Sequence, residues 1–260
     1  MFAKKLLIIT LITTFTIFSE SQKTSTDKLN QQLLKEIQNP YPNIKKITNL
    51  LANGANPNIR NNNFNGNGAT PLIMATISQN LPLVQLFLNQ GAFPDLTNNA
   101  GNNPLIIATL HNSYTIAQEL LNANADPNFR TEIEGYTALI IAAKNNNSQI
   151  IQLLLRHNAD PNIPDFRGNL PLTEAVGHNN FNAVQALLNA TNIDINLRDN
   201  IGNTALIVAT IMNNFPMIQI LLAADANVMI QNNKKLSALD IAIKNNNTKI
   251  IQALKQSNQS

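Results

Sequence analysis

The residues able to do acid–base or metal chemistry are few. There are three histidines, His111, His157 and His178, and fifteen carboxylates. His111 and His178 fall at equivalent places two repeats apart in the periodic pattern described below. Helices pack about 8–10 Å apart, so these two rings are expected about 20 Å from each other, too far to share a metal. His157 is expected in the last turn of a helix, where a cation complements the helix dipole. With no cysteine, disulfides, thiolate catalysis and cysteine-ligated zinc are all excluded. No HExxH or GxSxG motif occurs. Gly66 and Gly68, in Asn-Gly-Asn-Gly, lack the following Lys-Ser/Thr and the preceding strand of a phosphate loop. Glu132 and Glu134 flank Ile133 on a loop, where like charges are ordinarily solvated. The expectation is a chain with no catalytic residue, no cofactor and no metal site.

The elements that would position any site are written in a repeat. Pro-Leu-Ile-Met-Ala at Pro71–Ala75 recurs in related form from Pro104, Ala138, Pro171, Ala205 and Ala238, with gaps of 33 or 34 residues. A fixed period of this size marks a stacked-repeat architecture. In each repeat a short helix is expected to start after a hydroxyl N-cap, as at Thr70, Thr137, Thr204 and Ser237. An Asn-rich turn such as Asn145–Asn147 ends it. A second, amphipathic helix follows, with apolar residues recurring at three and four. Pro82 and Pro216 sit in the first turn of their second helices, where proline is tolerated.

Each second helix then needs a residue in left-handed conformation to stop it. Gly54 and Gly91 supply it early. Asn124, Asn158, Asn192 and Asp225 are the expected equivalents, because Asn and Asp best tolerate that backbone among non-glycine residues. Turns such as Asp126-Pro127-Asn128 lead outward into a finger-like loop. The finger returns at Gly68, Gly101, Gly135, Gly168 or Gly202.

These motifs carry a family resemblance. Gly68–Ala75, Gly135–Ala143, Leu50–Asn58 and Leu153–Asn162, with period 33 and Thr-Pro-Leu opening the first helix, resemble the ankyrin repeat. The resemblance implies an all-α solenoid of paired antiparallel helices with β-turn fingers. Six repeats are expected at 64–99, 100–132, 133–166, 167–200, 201–234 and 235–260. A degenerate N-terminal helix pair, near Asp27–Asn39 and Asn43–Asn53, fills 22–63. The ankyrin pattern places His after Thr-Pro-Leu, and that His hydrogen-bonds between repeats. This chain has Ile73, Ile106, Ile140, Thr173, Ile207 and Asp240 there. Isoleucine replaces the polar link by burial worth about 1.5–3 kcal/mol per side chain. Asp240, in the last repeat, is expected to face no following neighbour. The first finger, Ile59–Gly68, is four residues longer than its counterparts, and Phe129–Gly135 has one extra residue.

The resemblance also implies where a partner would bind: the finger tips and the exposed side of the first helices. Candidate residues on the helices are Ile77, Leu110, His111, Lys144, Ile211 and Met212. On the fingers they are Arg60, Arg130, Tyr136, Phe166, Arg167 and Arg198, aromatic and Arg side chains of the kind that dominate interfaces. Ile107, Ile141, Val208 and Glu174 share the helix face, and some of that face is expected to be core. A column of Gln85, Gln118, Gln152, Gln185, Gln219 and Gln252 reads as a solvated outer face.

Composition agrees with a binding protein. Charged residues are 13% and net charge is +3, too small and scattered for a nucleic-acid footprint. Asparagine fills about one position in six, a bias that suits an AT-rich genome. Lys4 and Lys5, the apolar run Leu6–Phe18 and the small residues around Glu20 describe a secretory signal peptide over 1–21. No later stretch could span a membrane. The expectation is an exported monomer, periplasmic or secreted, that binds a protein partner. Exported ankyrin proteins of this composition resemble those of bacteria living inside eukaryotic cells, which implies a host-directed effector. A periplasmic chaperone or inhibitor of a bacterial partner is the alternative.

Overall fold

Short helices form here because each has a dedicated start, a dedicated stop and one apolar face. The computed structural model describes residues 25–62 and 67–257, and all fourteen elements in them are helices. The proposed signal peptide lies outside the described residues. The helices run in pairs: α1 (25–37) with α2 (Ile44–Ala52), α3 (Pro71–Ile77) with α4 (Leu81–Asn89), and α5 (Pro104–Leu110) with α6 (Tyr114–Asn122). Then come α7 (Ala138–Lys144) with α8 (Ser148–Arg156), α9 (Pro171–Gly177) with α10 (Phe181–Leu188), α11 (Ala205–Ile211) with α12 (Phe215–Ala223), and α13 (Ala238–Lys244) with α14 (Thr248–Ser257). Two compact units divide between Asn99 and Ala100. The first carries α1–α4 and the second α5–α14.

Helix starts follow the expected chemistry. Oγ1 of Thr70, Thr137 and Thr204 and Oγ of Ser237 each accept the N–H three residues on, at 3.2–3.3 Å. Asn103 does the same for α5 at 2.9 Å. Leu170 begins α9 without an acceptor of its own. There Thr173 substitutes from inside the helix: its Oγ1 accepts the Leu170 N–H and donates to the Leu170 carbonyl, both at 3.0 Å. Asparagine side chains cap the second helices other than α6 and α10. Asn80, Asn147, Asn214 and Asn247 each accept the N–H three residues on. The residue just before each N-cap has positive φ: Gln79, Asn112, Asn146, Asn179, Asn213 and Asn246, at 52–59°. The Asn-Asn pair between helices thus does two local jobs in sequence, a left-handed turn and then a cap.

Gly54, Gly91, Asn124, Asn158 and Asp225 stop their helices with positive φ, as expected. Asn192 does not. The helix α10 ends at Leu188, and Asn189 caps it in ordinary helical conformation. Five residues separate Leu188 from Asp194, whereas four separate Leu155 from Asp160 in the preceding repeat. With one more residue the chain leaves the helix without a left-handed step. This insertion also accounts for the 34-residue gap between Pro171 and Ala205.

Apolar burial follows the first helices. Ile73, Ile106, Ile140 and Ile207 are fully enclosed, so the positions that depart from the ankyrin His are core. Asp240 is exposed, and its carboxylate accepts from the Ser237 N–H and Oγ–H at 2.9 and 2.6 Å. The six-glutamine column is exposed throughout.

Stacking alone would leave adjacent pairs free to slide, since apolar attraction has no direction. Asparagine supplies the direction. After α2, α6, α8 and α10, an Asx turn aims one Asn side chain at the helix pair that follows. Asn128 Oδ1 accepts the Asp160 N–H at 2.7 Å, and its Nδ2 donates to the Asn158 carbonyl at 3.4 Å. Asn162 repeats this with the Asp194 N–H and the Asn192 carbonyl, both at 2.8 Å. Asn196 accepts from Asn227, and in the first unit Asn58 accepts from Phe93 and donates to Gly91. A second row crosses at the inter-helix turns. Asn147 Nδ2 donates to Asn112 Oδ1, and Asn214 Nδ2 to Asn179 Oδ1. Asn180 donates to the Ala143 and Lys144 carbonyls, covering two of the open acceptors at the end of α7.

Two predictions follow from this frame. Asn162→Ala removes a two-bond clamp and should lower stability by about 1–2 kcal/mol in urea unfolding. Asn182→Ala, at an exposed site with no such clamp, should cost less than about 0.5 kcal/mol. Separately, the Ser237 hydroxyl and N–H hold the Asp240 carboxyl below its ordinary range, against a smaller opposing effect of burial. The group contributes stability above its unfolded pKa of about 3.9, and that contribution fades as pH falls through the lower folded value. Asp240→Asn should therefore flatten the acid limb of stability against pH relative to wild type.

Candidate functional site

The first helices of the second unit pack side by side in the order α5, α7, α9, α11 and α13. Residues three or four apart share a face of a helix, so the last residue of each first helix falls in one row. In the row stand Leu110, Lys144, Gly177, Ile211 and Lys244. One residue later stand His111, Asn145, His178, Met212 and Asn245, each the C-cap of its helix. One turn earlier stand Ile107, Ile141, Glu174, Val208 and Ile241.

Burial separates these rows. Ile107 and Ile141 are core, and Val208 is half-buried. Leu110, Ile211 and Met212 are 51%, 50% and 44% exposed. Large aliphatic side chains at helix ends, uncovered on one row, are the apolar part of the face. Ile77 is similarly exposed, on the first unit. There it lines a cavity of about 410 Å³ with Ile37, Pro40, Pro42, Ala69 and Met74, among uncharged side chains only.

Between Leu110 and Ile211 the row changes character. Lys144 Nζ lies 3.3 Å from Glu174 Oε2 and 4.9 Å from the centre of the Tyr136 ring. His178 Nδ1 is 2.9 Å from the Glu174 carbonyl and 3.7 Å from Glu174 Oε2. A carbonyl only accepts, so Nδ1 carries the proton and Nε2 is the nitrogen left for other contacts. Burial by itself would lower the Lys144 pKa. The Glu174 carboxylate, helped by Tyr136, outweighs that and raises it above the ordinary lysine value. The four side chains come from α7, α9 and the base of one finger. Glu174 and His178 were legible as face residues, but their joining with Lys144 and Tyr136 was not. The available signal was one of count. Lys144 and Glu174 are the only charged residues in α5, α7, α9 and α11, of opposite sign and one repeat apart.

The finger residues have a different occupation. Arg130 donates to the Pro164 carbonyl at 2.7 Å and to the Gly135 carbonyl, and its guanidinium lies 4.6 Å above the Phe166 ring. Arg198 donates to Gly202 and to Asn233 Oδ1 in the following finger. Arg60 donates to the Thr97 carbonyl within the first unit. Each of the three arginines therefore ties its own finger to the following one. Arg167 pairs with Glu134 at 3.3 Å, the arginine side chain largely exposed and the glutamate side chain about half-buried. Phe166 packs over Gly135, whose φ of 70° and missing Cβ admit the ring, and the Phe166 N–H donates to the Glu134 carbonyl. The tip around Glu134 and Phe166 is thereby fixed before any partner arrives. The described part of the first finger closes through Asn61 and Ala69; residues 63–66 of its extra length are outside the described residues.

The raised Lys144 pKa gives a signed prediction. The pair's contribution is complete below lysine's unfolded pKa, about 10.4, and is lost as pH rises through the higher folded value. Between pH 9 and pH 11.5 wild type should lose more stability than Glu174→Gln, read as the shift in urea midpoint.

Comparison with known proteins agrees with the geometry. The family model for ankyrin repeats (3 copies) matches residues 37–131, 116–199 and 192–260. A solved structure of EF0377, an ankyrin repeat protein, is 26% identical, covers 72% of this chain and 96% of its own, and superposes with a TM-score of 0.67. The ankyrin repeat domain of Bcl-3, described as a unique member of the IkappaB protein family, is also 26% identical. It covers 86% of this chain and 96% of its own, with a TM-score of 0.76. A search of curated proteins finds no match. The repeat period, the paired helices with their fingers and the family match agree: the chain belongs to the ankyrin-repeat family, whose repeats are protein–protein interaction scaffolds.

Proposed function

We propose that the chain is an exported, non-catalytic scaffold that binds a protein partner over the exposed ends of α5, α7, α9 and α11. The observation that carries this is the row of Leu110, Ile211 and Met212. Aliphatic side chains about half uncovered at helix ends are the kind of surface a partner would dry, and burying the remaining half of each is worth about 1 kcal/mol. The neighbouring His111, Lys144, Tyr136 and His178 would give orientation. The rigid finger residues Phe166, Arg167, Arg130 and Arg198 frame one edge. Arg60 and Ile77 belong to the first unit, where Arg60 borders a cavity of about 500 Å³ with Asp27, Gln31, Leu34 and Lys35. Export is supported by Lys4, Lys5 and the thirteen-residue apolar run that follows. No helix among the described residues is long and apolar enough to cross a membrane.

Leu110→Glu with Ile211→Glu should abolish partner capture while helical circular dichroism and urea midpoint stay near wild type, because both side chains are already half in water. Replacing Arg130 and Arg198 is the poorer experiment, since each also ties two fingers together. Undiminished capture by the double variant would remove this face from consideration. For export, fractionation after expression from Met1 should place the protein outside the cytoplasm. Full cytoplasmic retention would refute that half of the proposal.

A further inference from the structure

The charged break in an otherwise apolar row has an inside and an outside. Glu174 lies inside: its side chain is 14% exposed, and Oε2 has essentially no accessible surface and no hydrogen-bond partner of good geometry. A partner cannot reach that oxygen. Lys144 and His178 lie outside, with side chains 32% and 50% exposed. Because the imidazole commits its Nδ1 proton to the Glu174 carbonyl, only Nε2 is turned to other contacts. What a partner meets first is a lysine ammonium and an imidazole edge, with Oε2 of their counter-charge buried behind them.

Resting on the proposed binding face, we infer that this cluster receives an acidic side chain of the partner, seated between apolar contacts at Leu110 and at Ile211 and Met212. A carboxylate accepts from the Lys144 ammonium and from the His178 Nε2–H once the ring is protonated, and charge-assisted bonds of this kind are the strong ones. A basic side chain would meet Lys144 first and be repelled. Glu174 serves as the positioning residue, fixing the ammonium and holding the imidazole by its backbone. Protonated His178 brings the exposed cluster a second positive charge. The elements packed on α9 add no competing group. The helix α7 carries only Lys144, α10 carries no ionisable side chain, and α11 carries none. From the finger base comes Tyr136, against Lys144. Neighbouring first helices are about 10 Å apart and an extended chain advances about 3.3 Å per residue. The acidic residue therefore has an apolar residue about three to four positions away on each side.

The test is selection of random ten-residue peptides on phage against the purified chain at pH 6, with Leu110→Glu/Ile211→Glu as the counter-screen. The expected consensus holds one Asp or Glu with apolar residues three or four away on both sides. A synthetic consensus peptide should lose about tenfold or more in affinity when its acid is changed to the amide, and similarly on Lys144→Met. His178→Ala, at an exposed site, should weaken its binding as well. Peptides that need Leu110 and Ile211 but carry no acid, or carry Arg or Lys, would overturn this inference and leave the binding face standing. Peptides indifferent to the counter-screen variant, or no enrichment at all, would overturn the face and this inference together.

Discussion

Asparagine side chains aimed from one helix pair at the backbone of the next, Asn58 in the first unit and Asn128, Asn162 and Asn196 in the second, set the register of the stack. Burial of Ile106, Ile140 and Ile207 supplies attraction between helix pairs without fixing how they align. An amide side chain has an acceptor and a donor a short distance apart, which matches an N–H and a C=O of a neighbouring turn. Asn162 uses both on Asp194 and Asn192, and Asn128 uses both on Asp160 and Asn158. The ankyrin pattern assigns inter-repeat hydrogen bonding to a histidine in the first helix. In this chain that position is buried isoleucine, and the directional work moves to the turns. A consequence reaches the composition: asparagine is abundant because the turns use it as left-handed residue, cap and clamp.

The same division of labour decides which parts of the surface can vary. Finger arginines look like interface residues by type, yet Arg60, Arg130 and Arg198 each donate to the next finger's backbone or side chain, so they are occupied in holding the edge straight. The exposed aliphatic side chains at the ends of the first helices, Leu110, Ile211 and Met212, carry no such duty. There the copies differ most, from Leu110 through Lys144 and Gly177 to Ile211. Stability is settled in the core and the turns, and the helix ends are left open to specialise.

Much of this is legible in the sequence. Thr70, Thr137, Thr204 and Ser237 mark helix starts because a hydroxyl before an apolar run is a local signal. Gly54, Asn124 and Asp225 mark helix stops for an equally local reason. Local reading failed at Asn192, where an extra residue changed the path and removed the need for a left-handed step. It also failed to join Lys144 with Glu174 and His178, and to see Asn128 reaching Asp160. Those contacts depend on which side chain crosses to the adjacent repeat, which is set by stacking and has no signature inside one repeat. Leu170 shows the reverse: a poor N-cap by type, repaired by Thr173 three residues on.

The clamp is most directly tested by amide hydrogen exchange at Asp160, Asp194 and Asn227. Each of these N–H groups sits in a turn at the surface and has an asparagine Oδ1 of the preceding repeat as its acceptor. If the clamps set the register, the three amides exchange slowly, with protection approaching that of N–H groups inside α8 and α10. Exchange at the rate of an unstructured peptide would contradict the account and leave the stack held by apolar burial alone.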